Sequence, residues 1–495
     1  MKRQTCTNPL TSFSYGARGH FFGSLFLAII LVLSVSNPPR VSSLSKRHDS
    51  QYWIGTWAAA PQRPIQGRVQ SFRNQTVRLI VHTSAGGKTV RIKISNVFGD
   101  QPLTVGSAHI ARRTDAANIN PSSDRILKFD KQSSVTIPAG SLAVSDPVDL
   151  DVSPLSDLAI SLFLPGPTTA TTIHILAQQT NYVSPEAGDF AAQMNFPVAK
   201  TISFWPFLTG VDVIASRLGA AVVAFGSLLT DGDGSTKDAN RRWPDILAER
   251  LQRNGYAELG VLNEGIIGNR LLSDSQGPRQ LGGPPPLGPV LEQLWPALGE
   301  AGLKRFERDV LSQTQVKYVI LGLGVNDILF PGSFVPATEG VTSQDLILGY
   351  RQLIAGAHKN GIRVIGTTIP PFEHALFRDP LFQTFYTPEK EKSRQEVNAW
   401  IRTTGEFEGV IDFDAAVRDP DRLTQLLPAY DSGDHLHVND AGNVAQGNAI
   451  PLALFHRLSG EAIYHQRNWR EQGLLNFRIT DLTAMALSKH KDITV

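Results

Sequence analysis

Two hydrophobic patterns divide the chain. From Gln51 to about Pro197, short runs alternate apolar and polar residues, as in Thr76-Val77-Arg78-Leu79-Ile80-Val81-His82 and Thr89-Val90-Arg91-Ile92-Lys93-Ile94. Gly86-Gly87, Gly99-Asp100 and Pro138-Ala139-Gly140 punctuate them. A period of two between turn signals predicts β-strands, with further strands at Ser134 to Ile137 and Leu158 to Leu164. Many short strands of this kind predict an all-β sandwich or jelly roll over residues 51–200. Such a part serves as a carbohydrate-binding module or as structural cover, and the pattern does not choose between them.

Around Phe196 to Val213 the pattern changes. Apolar runs at Ala220–Phe225, Gly260–Asn263, Lys317–Leu323, Arg363–Thr368 and Val410–Phe413 read as strands buried on both faces. Helical patterns lie between and after them. Asn240 to Arg253 is amphipathic, and Thr342 to Lys359 opens on a Thr342/Asp345 capping box. Thr387 to Thr404 has Thr387 as N-cap and Pro388 at the first helical position, and a last helix is expected from Asp440 to Arg457. Strands joined by crossover helices predict a parallel five-stranded sheet covered on both faces. That is a flavodoxin-like three-layer α/β/α domain over residues 215–458. Gln276 to Leu298 is too rich in Gly and Pro for an element and reads as a surface loop or a lid. Residues 459–495 are weakly patterned and read as a tail.

The N-terminus has a different character. Lys2, Arg3 and Arg18 precede an uncharged, mostly apolar run from Phe21 to Val35, and Ser34 and Ser36 follow as small residues suited to cleavage. This reads as a secretory signal peptide, and with Lys46-Arg47 as a dibasic processing site, residues 1–47 would be removed. The expected location is extracellular, without stable membrane insertion after cleavage; the rival reading is an uncleaved signal that anchors the chain. Cys6 is the single cysteine and lies in that segment, so a processed protein has no disulfide, thiol chemistry or Cys-based zinc site. Asn74-Gln75-Thr76 is a glycosylation acceptor consistent with secretion. The formal charge of +2 comes without a dense basic run, which argues against nucleic acid as a partner.

Four stretches carry chemistry, each placed after a strand of the α/β part or, for the last, before its final helix. They are Phe225-Gly226-Ser227-Leu228-Leu229-Thr230-Asp231-Gly232, Asn263-Glu264-Gly265-Ile266-Ile267-Gly268-Asn269-Arg270, Gly324-Val325-Asn326-Asp327 and Asp434-His435-Leu436-His437. Singly, each has an ordinary reading as a turn, a loop or a structural histidine. Together and in this order they resemble the four blocks of the SGNH (GDSL) hydrolases. Asp238-Ala239-Asn240-Arg241-Arg242-Trp243-Pro244 and Gly55-Thr56-Trp57-Ala58-Ala59-Ala60-Pro61 are similar to the secreted two-domain branch related to acetylxylan-type esterases. The resemblance implies carboxylic ester hydrolysis on acylated carbohydrate or small esters, with no metal or organic cofactor. It implies His437 as general base, Asp434 as the carboxylate that orients it, and Gly268 and Asn326 as oxyanion donors. A metal site at Asp434, His435 and His437 ranks far lower, because no second ligand cluster is evident and zinc wants three or four ligands.

The first block departs from the family. Aligned without gaps, Ser227 stands where the family has Asp, and Leu228 stands at the position of the serine nucleophile. Leucine cannot attack a carbonyl, and removing a serine nucleophile costs on the order of a million-fold in turnover. Three readings stand. Ser227 is a nucleophile shifted by one residue, although neighbouring side chains near a strand end point to opposite faces; or the protein is a pseudoesterase that binds carbohydrate; or the written block departs from a natural Asp-Ser pair.

Overall fold

The computed structural model describes residues 52–216, 218–275, 292–375 and 386–455. The segment expected as a signal peptide at 1–47, residues 276–291 of the Gly/Pro-rich stretch and the tail expected at 459–495 lie outside them. All described residues fall within one compact unit.

The alternating runs form two antiparallel sheets. One orders Trp53–Ala58, Leu208–Ile214, Gly87–Ser95 and Val148–Val152, with Leu142–Val144 also pairing to Gly87–Ser95. The other orders Lys200–Ile202, Asn181–Val183, Gln75–His82, Asp157–Leu164, Ser107–Arg112 and Arg125–Leu127. Their facing residues make one core, in which Val77, Leu79 and Val81 share a cluster with Val90, Ile92, Ile94, Val211 and Val213. This is the expected sandwich.

Its polar positions are not all solvated. Along Gln75–His82 the outer side chains lie beneath the segments at 115–119 and 189–196, and Arg78 is fully buried. Its guanidinium satisfies itself on Ser161 Oγ at 2.8 Å and on the carbonyls of Ala117, Gln193 and Ala191 at 2.8, 3.0 and 2.9 Å. The Phe196 ring stacks 4.4 Å away. A buried cation is tolerated only when its donors are used in this way.

The apolar runs form the expected five-stranded parallel sheet, ordered Leu259–Gly265, Ala220–Gly226, Val316–Gly322, Arg363–Thr367 and Gly409–Ile411. Ala220–Gly226 is central and wholly buried. Its alternate residues serve two helical layers: Ala221, Val223 and Phe225 pack with Phe306, Leu346, Leu353 and Val397. Ala220, Val222 and Ala224 pack with Trp243, Leu247, Leu251 and Phe455. Flanking helices include Trp243–Arg253, Ser343–Lys359, Pro388–Thr403 and Asp440–Ala449. Thr342 and Asp345 form the capping box, and Thr387 caps Pro388–Thr403 through Lys390 N. The last helix stops at Ala449 rather than Arg457. Pro451 offers no N–H to continue the ladder, and a short 3-10 turn, Leu452–Leu454, follows.

The sandwich is locked to the edge of the parallel sheet by close backbone approach. A Cβ on Gly260 would stand 2.0 Å from the Gly55 carbonyl oxygen. The Gly55 N–H donates to Thr314 O at 3.2 Å, and Ala59 bridges to Asn263. The Gly55–Pro61 stretch is therefore the seam between the two parts.

Candidate functional site

The carboxyl edge of a parallel sheet is where loops converge and where such proteins place chemistry. Here the central strand ends in a tight turn. Ser227 N–H donates to Gly322 O at 3.3 Å, and Ser227 O accepts from Thr230 N and Asp231 N, starting the one-turn helix Leu228–Asp231. Gly232, at φ +98°, closes it. No side chain fits at Gly226, because a Cβ there would meet Thr230 Oγ1 at 2.0 Å.

Ser227 and Leu228 are both buried. Ser227 Oγ has no hydrogen-bond partner among the described residues, so it makes no bond to His437. Leu228 is 3% exposed and lies in the apolar cluster of Leu271, Trp295, Leu298, Leu323, Phe330 and Leu436. A hydroxyl that is to lose its proton needs its base within about 3 Å. Neither residue has that arrangement.

The rest of the site is organised. His437 Nδ1 and Asp434 Oδ2 are 2.6 Å apart, and Asp434 Oδ1 accepts from the N–H groups of His437 and Leu436 at 2.8 and 3.1 Å. Ser432 Oγ adds a bond at 3.1 Å. Burial alone would raise the Asp434 pKa, but the bonds and charge of His437, with the two backbone N–H groups, hold it well below the usual carboxylate range. On the other side of the ring, Asp233 Oδ2 stands 3.5 Å from His437 Nε2. His435 is turned away at φ +60° and pairs with Asp431 at 2.6 Å, roughly half exposed. The two histidines therefore serve different carboxylates. Among the described residues, no group of three or more His, Cys, Asp or Glu side chains could hold a metal.

A depressed folded pKa stabilises the fold above the unfolded value of about 4 and loses that contribution as pH falls toward the folded value. Asp434→Asn is therefore expected to flatten the decline of stability between about pH 4 and pH 2. Denaturant titrations at stepped pH check this; parallel curves for the variant and parent would contradict it.

Gly268 sits at φ +69°, and a Cβ there would meet Leu298 Cδ2 at 2.5 Å, so both conformation and space call for glycine. Asn326 follows Gly324 at φ +100° and donates from Nδ2 to Asn269 O at 2.9 Å, while its buried Oδ1 has no partner among the described residues. Asp327 beside it receives Leu271 N–H and Leu272 N–H at 2.7 and 3.0 Å. Burial pushes its carboxyl up to about 6 against those bonds. These contacts tie the second block to the third.

Four supporting residues were not singled out from the sequence. Arg305, fully buried, donates to Gly226 O, Glu264 O and Asn269 Oδ1. Asp231 links the first block to the second, and His174 reaches it from the sandwich. Asp233 faces His437. Asp231 and Asp233 stand within or beside a block already singled out; nothing local marks Arg305 or His174.

Asn74 is exposed in the turn before Gln75–His82, at φ +48°. No helix among the described residues is long and apolar enough to cross a membrane.

Residues 224–445 match the GDSL-like Lipase/Acylhydrolase family. Among solved structures, the inhibitor-bound aryl esterase of M. smegmatis is similar at 21% identity, covering 47% of this chain and 96% of that one, with a TM-score of 0.33. A carbohydrate acetylesterase from Sinorhizobium meliloti matches at 18% identity over 46% of this chain and 95% of its own, with a TM-score of 0.31. A GDSL-like lipase from Bacteroides thetaiotaomicron matches at 18% over 48% and 90%, with a TM-score of 0.32. No curated protein matches the chain.

Proposed function

From residues 224–445, which belong to the GDSL-like lipase/acylhydrolase family, we propose that the chain binds carboxylic esters at this sheet edge while the serine route to their hydrolysis is closed. One observation carries the reading: Leu228 is packed into the apolar cluster at the nucleophile position, and Ser227 Oγ is buried without a bond to His437. The substrate class is acylated carbohydrate, on the resemblance of Gly55–Pro61 and Asp238–Pro244 to acetylxylan-type esterases. Processing of residues 1–47 would release the protein outside the cell. In this reading Gly268 and Asn326 are the groups that receive the ester carbonyl, and the Asp434–His437 pair is retained although Ser227 Oγ makes no bond to it.

The intact Asp434–His437 contact favours a second reading. His437 would take a proton from water, and the resulting hydroxide would attack the ester carbonyl directly. Turnover of p-nitrophenyl acetate by the parent and His437→Ala separates the two. The binding reading expects equal rates. The water reading expects a loss on the order of 10²-fold or more in the variant, the usual contribution of a general base. Calorimetry with acetylated xylo-oligosaccharide checks binding; no heat at millimolar ligand would reject the substrate class.

A further inference from the structure

His174 is not part of the four blocks, yet it is the point where the sandwich grips the site. It lies on Ile173–His174, paired to Trp205–Pro206, and is buried with the Trp205 ring 5.6 Å away. Both ring nitrogens face oxygen: Nδ1 is 2.9 Å from Ala60 O, and Nε2 is 2.9 Å from Asp231 Oδ1. Asp231 is buried too, and its Oδ2 accepts Ile267 N–H at 2.7 Å. Ile267 immediately precedes Gly268.

Proton bookkeeping is decisive here. A neutral imidazole has one N–H, and a backbone carbonyl can only accept. Whichever tautomer is drawn, a neutral ring leaves one of the two contacts as acceptor facing acceptor. The contacts are satisfied only if the pair holds one more proton than a neutral imidazole beside a carboxylate. Arg242, close enough to feel the Asp231 charge, favours placing that proton on the ring. We propose that His174 is an imidazolium that acts as a positioning residue, fixing the Ile267–Gly268 turn through Asp231. Its consequence for ester chemistry rests on the reading of Gly268 given above, but its structural consequence does not.

The chemistry supplies its own control. In Asp231→Asn, the amide NH₂ can donate to Nε2 of a neutral ring whose Nδ1–H goes to Ala60, while the amide oxygen still accepts Ile267 N–H. Every bond is kept and the charge is removed. Nitrogen NMR of the histidine-labelled full chain at neutral pH is expected to show both His174 nitrogens protonated in the parent and only Nδ1 protonated in Asp231→Asn. Amide exchange at Ile267 and Gly268 should be about tenfold faster or more in His174→Leu and Asp231→Ala, and close to parental in Asp231→Asn. A neutral His174 in the parent, or unchanged exchange in both disrupting variants, overturns the proposal. In a Leu228→Ser background, Asp231→Ala should lower kcat more than it raises KM, and Asp231→Asn should restore kcat. If Leu228→Ser is itself inactive, the reading of the cleft fails while the NMR and exchange results still decide the role of His174.

Discussion

Leu228→Ser is expected to raise p-nitrophenyl ester turnover on the order of 10³-fold or more over the parent. The full penalty for losing a serine nucleophile is about a million-fold. Only part of it is asked back here, because Ser227 stands where the family has Asp and because Asp233 already occupies the Nε2 side of His437. Residue 228 opens the helix Leu228–Asp231 on a turn held by Gly226 and Gly232, so the backbone that would present a hydroxyl is already formed. The same substitution must destabilise the fold. Removing a buried Leu side chain costs about 2–5 kcal/mol, and a hydroxyl in its place adds to this unless it finds a partner. Leu228→Ala makes the same cavity without a nucleophile, and is expected to be as unstable and as inactive as its lack of oxygen dictates. His437→Ala added to Leu228→Ser should return turnover to background. If Leu228→Ser is no faster than Leu228→Ala, the assignment of residue 228 as the nucleophile position is wrong.

What could be read from the chain was what local pattern encodes. The five parallel strands appear within a few residues of the expected spans, because a strand buried on both faces leaves a continuous apolar run. The caps at Thr342 and Thr387 were legible because a capping residue and its partner are three apart. The contact of Asp434 with His437 has the same short span. The alternation in Gln75–His82 gave the strand but carries nothing about its outer face, since what covers Arg78 comes from residues 117, 191 and 196. His174 and Asp231 are 57 residues apart, and Arg305 and Gly226 are 79 apart. No periodicity carries such pairings; the first exists only once the sandwich has docked on the parallel sheet, the second only once helix Gly302–Phe306 has packed on that sheet. The last helix shows the reverse error, since Pro451 was legible in the sequence and the helix was nevertheless expected to run to Arg457.

The supports under the site are therefore where the largest stability effect is expected, and Arg305 is the centre of them. Its side chain is fully buried, with Nη2 on Gly226 O at 2.9 Å, Nη1 on Glu264 O at 2.9 Å and Nε on Asn269 Oδ1 at 3.0 Å. Asp309 balances its charge at 3.0 Å, and the Phe225 ring lies 4.1 Å from the guanidinium. Those carbonyls lie at the ends of the two strands that launch the first and second blocks, and Gly226 O also accepts Ile266 N–H at 3.2 Å. Arg305→Met keeps much of the volume but leaves both carbonyls without this donor and Asp309 with Arg308 alone. Breaking a buried pair on one side typically costs about 3–5 kcal/mol. At about 2–4 °C per kcal/mol for a domain of this size, that is a fall of roughly 6–20 °C in Tm. Burial, with Asp309 adding to it, holds the Glu264 carboxyl well above its ordinary value. Arg305→Met with Asp309→Leu removes both charges and should recover part of the loss, since an apolar pair often substitutes for a buried ion pair. Guanidinium unfolding of the parent, single and double variants decides it: a single variant within about 1 kcal/mol of the parent would mean that the strand ends, and the site they carry, do not depend on Arg305.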